Sequence, residues 1–457
     1  MSDCAVMFPG QGAYLPGALA PLADDEPLVR ETLRALDGAA GRVGRSAPSR
    51  LLLDEDAPSL ADLVATSPAD LHVALFAAEM TLFRLLTERH GLRPSVLIGH
   101  SFGELVALTA AGVYGLEEGM ALVAARDEAF AACPPAEGGM VALGMSASRA
   151  GALLTGLGEW EVTLAADNGP RQCVVSGPAV PLERVRGAAV TLGIEATRLR
   201  VPYAFHHRML AGVADDFARR AASLRTGRAR HVLHSAILEG RLDGPGGVAD
   251  LVAAHLVRPT RFTGAVRRLH ADGVDVFVEC GPRGVLSDLV ESTVPGVRVV
   301  APLRRRAGGQ AVADALAGIG TDAPVPAGLA PPRRPGRGPS PLPRAPRADA
   351  APAGPGGEGL ADRKAVVETL RSLYAAALGY PPEVLTEDAD LEADLGVDSI
   401  KQTELFARAA GHYGRTLPAE GSRLTSYTTL DALAGLLATL PVRDAGARDA
   451  DTREALA

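Results

Sequence analysis

Over the first three hundred residues, short apolar runs alternate with longer amphipathic stretches. Ala5-Val6-Met7-Phe8 and Ser95-Val96-Leu97-Ile98 are short runs of the kind that form buried strands. Residues 71–86, 104–111 and 117–130 instead repeat their apolar positions at helical spacing. The first of these predicts a helix with Asp70 as its N-cap. Strands alternating with helices predict an α/β domain. Between residues 138 and 200 the rhythm changes. Strands are predicted at 140–143, 162–165, 172–176 and 194–199, with helices at 148–155 and 182–192. That β-α-β-β-α-β order is ferredoxin-like, and it places a small subdomain at 137–203 inside a larger one.

The pattern breaks near residue 306. Residues 307–358 are rich in Pro, Gly, Ala and Arg, with Pro331-Pro332-Arg333-Arg334-Pro335 and Pro339-Ser340-Pro341-Leu342-Pro343. Such a composition cannot bury enough apolar surface to order itself, so it is read as an interdomain linker. Helical spacing resumes beyond it, at Val366, Val367, Leu370, Leu373 and Tyr374, then Ile400, Leu405, Phe406 and Ala409, then Leu430, Leu433, Leu436 and Leu437. Three helices in residues 359–441 predict a small all-α bundle. The polar tail 442–457 has no core pattern and is expected to be disordered.

Composition narrows the function classes. At 457 residues, 47% hydrophobic and 22% charged, the chain has the make-up of a globular protein with two or three domains. A net charge of -8 argues against nucleic-acid binding. The sequence has no apolar run of about 18 residues, so no membrane span is expected. Met1-Ser2-Asp3-Cys4 does not open a signal peptide. Cys4, Cys133, Cys173 and Cys280 are far apart and form no CxxC, which points to reduced thiols, no metal site and a cytoplasmic location.

The sharpest chemical signal is Gly99-His100-Ser101-Phe102-Gly103. A strand before it and a helix after it make a turn that exposes the serine hydroxyl as a nucleophile. Such a serine needs a base, and the candidates are ten histidines. His206 and His207 stand where the small subdomain rejoins the large one, and clefts form at such junctions. His100 precedes the nucleophile and could serve only to orient the elbow. Arg126, on a predicted helix, reads by pattern alone as a solvated surface residue. Ser399, in Asp394-Leu395-Gly396-Val397-Asp398-Ser399-Ile400, reads alone as a helix cap.

Phe8-Pro9-Gly10-Gln11-Gly12, Gly99-His100-Ser101-Phe102-Gly103-Glu104, Tyr203-Ala204-Phe205-His206 and Phe277-Val278-Glu279-Cys280-Gly281-Pro282 occur in that order. Together they resemble the malonyl-CoA:acyl-carrier-protein acyltransferases of fatty acid and polyketide synthesis, over roughly residues 3 to 305. The resemblance implies an α/β-hydrolase-like large subdomain with the ferredoxin-like insert. It implies Ser101 as the acylated nucleophile and His206 as its base, oriented by a backbone carbonyl. It implies oxyanion-hole amides at Gln11 and Phe102. Asn168 matches an asparagine near the family's active site. Arg126 matches the arginine that grips the free carboxylate of a malonyl group, a task suited to its planar fork. Tyr203-Ala204-Phe205-His206 is a hybrid of the malonyl and methylmalonyl signatures. The bulk of Phe205, with Phe102, favours malonyl over a branched unit. His72 departs from the family, where many relatives have Gln.

The second domain resembles acyl carrier proteins over residues 360 to 440, on the run Glu387-Asp388-Ala389-Asp390-Leu391-Glu392-Ala393-Asp394 and on Asp398-Ser399-Ile400-Lys401-Gln402. That likeness implies a 4'-phosphopantetheine arm on Ser399, attached by a phosphopantetheinyl transferase. The acidic run would face basic partner enzymes. The expectation is therefore a malonyl-CoA acyltransferase that loads its own or a separate carrier and supplies a ketosynthase and other synthase components in trans. The rival expectations are a substituted-malonyl transferase, a thioester hydrolase, and an inactive scaffold.

Overall fold

The structure is a computed structural model that describes residues 3–242, 244–319, 363–378, 385, 391, 399–413, 415 and 429–440. They fall into two compact units, the first ending before the second begins at residue 324.

In the first unit the strands are β1 (Asp3–Phe8), β2 (Val96–Gly99), β3 (Gly138–Leu143), β4 (Thr163–Gly169), β5 (Gln172–Pro178), β6 (Ala196–Arg198), β7 (Leu233–Ser235), β8 (Gly240–Arg241), β9 (Val274–Glu279) and β10 (Arg298–Val300). Six form one sheet in the order β10-β9-β1-β2-β7-β8. All its pairings are parallel except β7 with β8. Parallel strands are covered on both faces, which is why β1 and β2 are unbroken apolar runs. Their register, Val6 opposite Leu97 and Phe8 opposite Gly99, brings the carboxyl ends of both strands to one edge. In open parallel sheets, sites form at that edge.

The second sheet has the order β4-β5-β3-β6 and is antiparallel throughout. With helices Ala147–Leu157 and Ala179–Thr191 it makes the ferredoxin-like insert. Its own core holds Val141, Leu154, Val175, Leu182 and Val185.

The structure corrects two expectations. The predicted 71–86 helix runs Pro68–Arg84, after Ser67, and Asp70 lies inside its first turn rather than at its cap. Pro68 explains the earlier start, because its missing N–H and fixed φ suit the first helical position. The expected linker also begins too early. Residues Gly309–Leu316 form a helix. Val312, Leu316 and Ile319 are buried in the core of the first unit, and Gly309 N–H donates to Asp25 Oδ2 at 2.9 Å. An apolar pair four residues apart suffices to dock one turn, and the surrounding Gly and Ala hid it. The rest of the linker, 320–358, and the tail 442–457 lie outside the described residues.

In the second unit, helices Arg363–Leu378, Ser399–His412 and Leu430–Thr439 share a core of Val366, Leu370, Tyr374, Leu405, Phe406, Leu433 and Leu437. The acidic run 387–394, apart from Leu391, lies outside the described residues.

Docking of the 309–316 helix gives the first prediction. Leu316→Ala should destabilise the first unit by about 2–4 kcal/mol, the cost of a core truncation. A loss within about 0.5 kcal/mol in chemical denaturation would return the segment to the linker.

Candidate active site

The elbow follows β2 directly. His100 N–H donates to Phe8 O at 2.9 Å, tying the turn to the end of β1. Ser101 sits at φ 54°, a left-handed conformation that a non-glycine residue holds only under constraint. The constraint is crowding. A Cβ at Gly99 would lie 2.3 Å from Glu104 N, and one at Gly103 would lie 2.0 Å from Phe8 O. Helix Gly103–Ala110 then leaves the turn. Glu104 anchors its first turn, accepting from Ser235 Oγ and Ile237 N–H at 3.0 Å each. Burial raises the Glu104 carboxyl to about 8.

Ser101 Oγ lies 2.7 Å from His206 Nε2. His206 Nδ1–H donates to the carbonyl of Arg258 at 2.8 Å. That bond fixes the tautomer and leaves the Nε2 lone pair facing the serine O–H. Burial, chiefly, lowers His206 to about 4; the Arg258 carbonyl opposes this, while His100 and Arg126 add to it. The imidazole is therefore neutral at physiological pH, as a base must be. The neighbouring His207 does something else: its Nε2–H donates to Glu161 O at 3.0 Å, and its Nδ1 accepts from Met209 N–H. It holds a turn.

Two helical starts converge on this pair. The 3-10 turn Gln11–Ala13 begins beside the elbow, for a Cβ at Gly10 would lie 3.8 Å from Ser101 Cβ. Phe102 caps the Gly103–Ala110 helix. Helix starts leave their first N–H groups without intrahelical partners, so Gln11 and Phe102 carry amides suited to an oxyanion. Behind the turn, His100 Nε2–H donates to Asn168 Oδ1 at 2.8 Å, and Asn168 Nδ2–H donates to Gln172 at 2.9 Å.

Arg126 is buried, with 3% exposure. Its Cζ stands 5.8, 5.4 and 5.2 Å from the ring centroids of Phe102, Phe130 and Phe205. Asp127 Oδ1 is 3.6 Å from Nη1, an ion pair too long for a hydrogen bond, and Nε and Nη1 have no hydrogen-bond partner among the described residues. Arginine stays protonated, so this is a buried cation with unused donors inside an aromatic cage. Tyr203 stacks on Phe130 with centroids 4.5 Å apart.

The structure thus brings Ser101, His206, Gln11, Phe102, His100, Asn168, Arg126, Tyr203 and Phe205 into one region, and His72 with them. Three contributors had escaped the sequence reading. Phe130 was detectable, four residues after Arg126 on one helix face. The Arg258 carbonyl and Asp127 had no signal. Ser399 is the first residue of its helix; residues 394–398 lie outside the described residues.

An α/β sheet with an inserted ferredoxin-like unit, and a Ser–His pair at its carboxyl edge, is an arrangement suited to nucleophilic chemistry on an acyl group. The profile of the Acyl transferase domain matches residues 6–321, and the chain belongs to that family. The phosphopantetheine attachment site profile matches residues 368–437, so the second unit is a carrier domain for a covalent 4'-phosphopantetheine. The chain is 38% identical over 293 residues to the spectinabilin polyketide synthase system protein NorB of Streptomyces orinoci, covering 63% of this chain and 13% of that protein. It is 34% identical to the phenolphthiocerol synthesis polyketide synthase type I Pks15/1 of Mycobacterium marinum, covering 65% and 14%. It thus spans only a small part of these curated relatives. Among solved structures it resembles the acyltransferase domain of the second salinomycin polyketide synthase module, with TM-score 0.61, 31% identity and coverage of 69% and 73%. It also resembles the malonyl CoA-acyl carrier protein transacylase of Coxiella burnetii, with TM-score 0.62, 25% identity and coverage of 69% and 96%. Among the described residues no helix is long and apolar enough to cross a membrane.

The neutral His206 sets a pH test. A serine-directed phosphonate should modify Ser101 at a constant rate down to about pH 5, with the acid limb centred near about 4. A limb centred at the ordinary 6.5 would show a solvated, unperturbed imidazole.

Proposed function

We propose that the chain moves a malonyl group from CoA, through an ester on Ser101, to a phosphopantetheine thiol on Ser399 or on a separate carrier, as an extender unit for polyketide or fatty acid assembly. The observation that carries the reading is the Arg126 guanidinium, buried beside the Ser101–His206 pair with Nε and Nη1 making no hydrogen bond among the described residues. A monocarboxylic acyl group would leave those donors unused, at a cost of about 1–3 kcal/mol or more. A malonyl carboxylate supplies the acceptor they lack.

His206 Nε2 takes the Ser101 proton as Oγ attacks the thioester carbonyl. The Gln11 and Phe102 amides hold the oxyanion. The C–S bond then breaks, and His206 returns the proton to the departing CoA sulfur. When attached, the phosphopantetheine arm supplies the thiol that accepts the acyl group. In that second half His206 Nε2 takes the proton of the incoming thiol and gives it to Ser101 Oγ as the ester opens. His100 and Asn168 hold the elbow from behind.

Phe102, Phe130 and Phe205 close around Arg126, with Tyr203 stacked behind. That crowding supports malonyl over a methyl-branched unit. One added methyl group is worth about 1–3 kcal/mol, or roughly 10–200-fold. The reading calls for a phosphopantetheinyl transferase to install the arm, and for a ketosynthase and further synthase components as partners.

The test offers the phosphopantetheinylated protein malonyl-, methylmalonyl- and acetyl-CoA in competition and weighs the intact products. Malonyl should dominate on Ser101 and pass to the carrier, and Ser399→Ala should abolish only the second event. Malonate released to water faster than it is transferred would make the enzyme a hydrolase. Arg126→Ala should cut malonyl transfer about 100-fold, as loss of a charged hydrogen-bonded pair worth about 3 kcal/mol, and raise acetyl transfer relative to it. Survival of malonyl transfer without that rise would remove the clamp.

A further inference from the structure

His72 touches Gln11, Phe102 and Asp127. Gln11 Nε2–H donates to His72 Nε2, and His72 Nδ1–H donates to Asp127 Oδ1 at 2.7 Å. The ring stacks on Phe102, with centroids 5.4 Å apart and planes 22° apart. Asp127 in turn lies 3.6 Å from the Arg126 guanidinium. His72 is buried, and Asp127 is nearly so. These contacts join segments 61 and 55 residues apart in sequence.

We propose that His72 and Asp127 form a positioning pair that holds the Gln11 and Phe102 amides in register with Ser101. The inference rests on the proposed role of those amides as oxyanion donors. Its logic is hydrogen-bond polarity. Asp127 accepts from Nδ1, so the Nε2 lone pair is free to accept from the Gln11 carboxamide, which cannot then rotate. The Phe102 ring lies flat on the same imidazole, so one side chain restrains both amide-bearing segments. The charged groups facing His72 are Asp127, Arg126 and Arg45. Burial holds the imidazole below its ordinary value; Asp127 opposes this, and the two arginines reinforce it. That keeps the lone pair available to Gln11.

The pairing also defines which side chains could stand in for His72. A carboxamide presents one N–H donor and one carbonyl acceptor at a separation like that of the two imidazole nitrogens. Glutamine could therefore donate to Asp127 and accept from Gln11 in the same places. Phenylalanine would keep the stacking and lose both hydrogen bonds.

The test measures acylation of Ser101 by rapid-quench intact mass with malonyl-CoA, and by the p-nitrophenolate burst with p-nitrophenyl acetate. The ester needs Ser101, His206 and the oxyanion amides but not the Arg126 clamp. His72→Phe should slow acylation by both donors about 10- to 100-fold, the usual penalty for a misplaced catalytic group, with the concentration of donor giving half-maximal rate little changed. His72→Gln should recover most of the rate. Asp127→Ala should slow acylation of the wild-type site by the ester and add nothing in the His72→Phe background, because it acts through His72. Asp127→Asn, which keeps an acceptor oxygen, should stay near wild type and carries the same decision should His72→Phe fail to fold. Wild-type rates in His72→Phe, no recovery with His72→Gln, equal losses in Asp127→Ala and Asp127→Asn, or simple additivity would each overturn the proposal. A wild-type protein acylated by the ester but not by malonyl-CoA would instead overturn the proposed substrate, and the order of the variants on the ester would still decide the role of His72.

Discussion

At Gly103 the elbow helix passes so close to the end of β1 that a side chain would lie 2.0 Å from the Phe8 carbonyl oxygen. The remainder of the site depends on that close approach. It requires glycine there and at Gly99, and it compresses the turn until Ser101 must adopt a positive φ. A strained residue persists only where its surroundings over-determine it. Here the surroundings are the β1–β2 register, the His100–Phe8 hydrogen bond and the buried Glu104 that ties the helix to β7. The same proximity brings the segment after β1, with Gly10 and Gln11, over the serine. One backbone contact therefore sets both where the nucleophile points and where the neighbouring amides stand.

How much of this could be read beforehand follows from the range of the interactions. Strands β1 and β2 and the order of the insert were legible because apolar periodicity is local. So was the elbow, whose glycines and serine are contiguous. The Gly309–Leu316 helix was missed because composition averaged over fifty residues masks a single Val312–Leu316 pair. The Asp70 cap was misplaced because Pro68 starts helices without capping them. Arg126 read as a surface residue by pattern, since helical spacing says nothing about which helix covers it. Only likeness to a family suggested its burial. The Arg258 carbonyl is backbone and has no side-chain signature. Asp127 reaches His72 across a fold, which no window along the chain can see. What was lost was the pairing of distant polar atoms, and that pairing fixes the tautomers of His206 and His72.

Protonation is where the pieces interact. His206 is kept neutral mainly by burial, and partly by the positive field of Arg126. That field is smaller than the effects of burial and of His100. The guanidinium, with Nε and Nη1 free of hydrogen bonds among the described residues, thus does two things in the free enzyme. It holds open a place for an anion, and it weakens His206 as a proton acceptor. On the proposed reading, a carboxylate docked on Arg126 cancels that field at the moment a thioester reaches Ser101. His206 then becomes a better base when a dicarboxylic donor is bound than when the cage is empty or holds an uncharged acyl tail. On that reading, selectivity for the acyl group rests chiefly on the direct hydrogen bonds to the carboxylate, and the gain in His206 basicity is a minor addition to them.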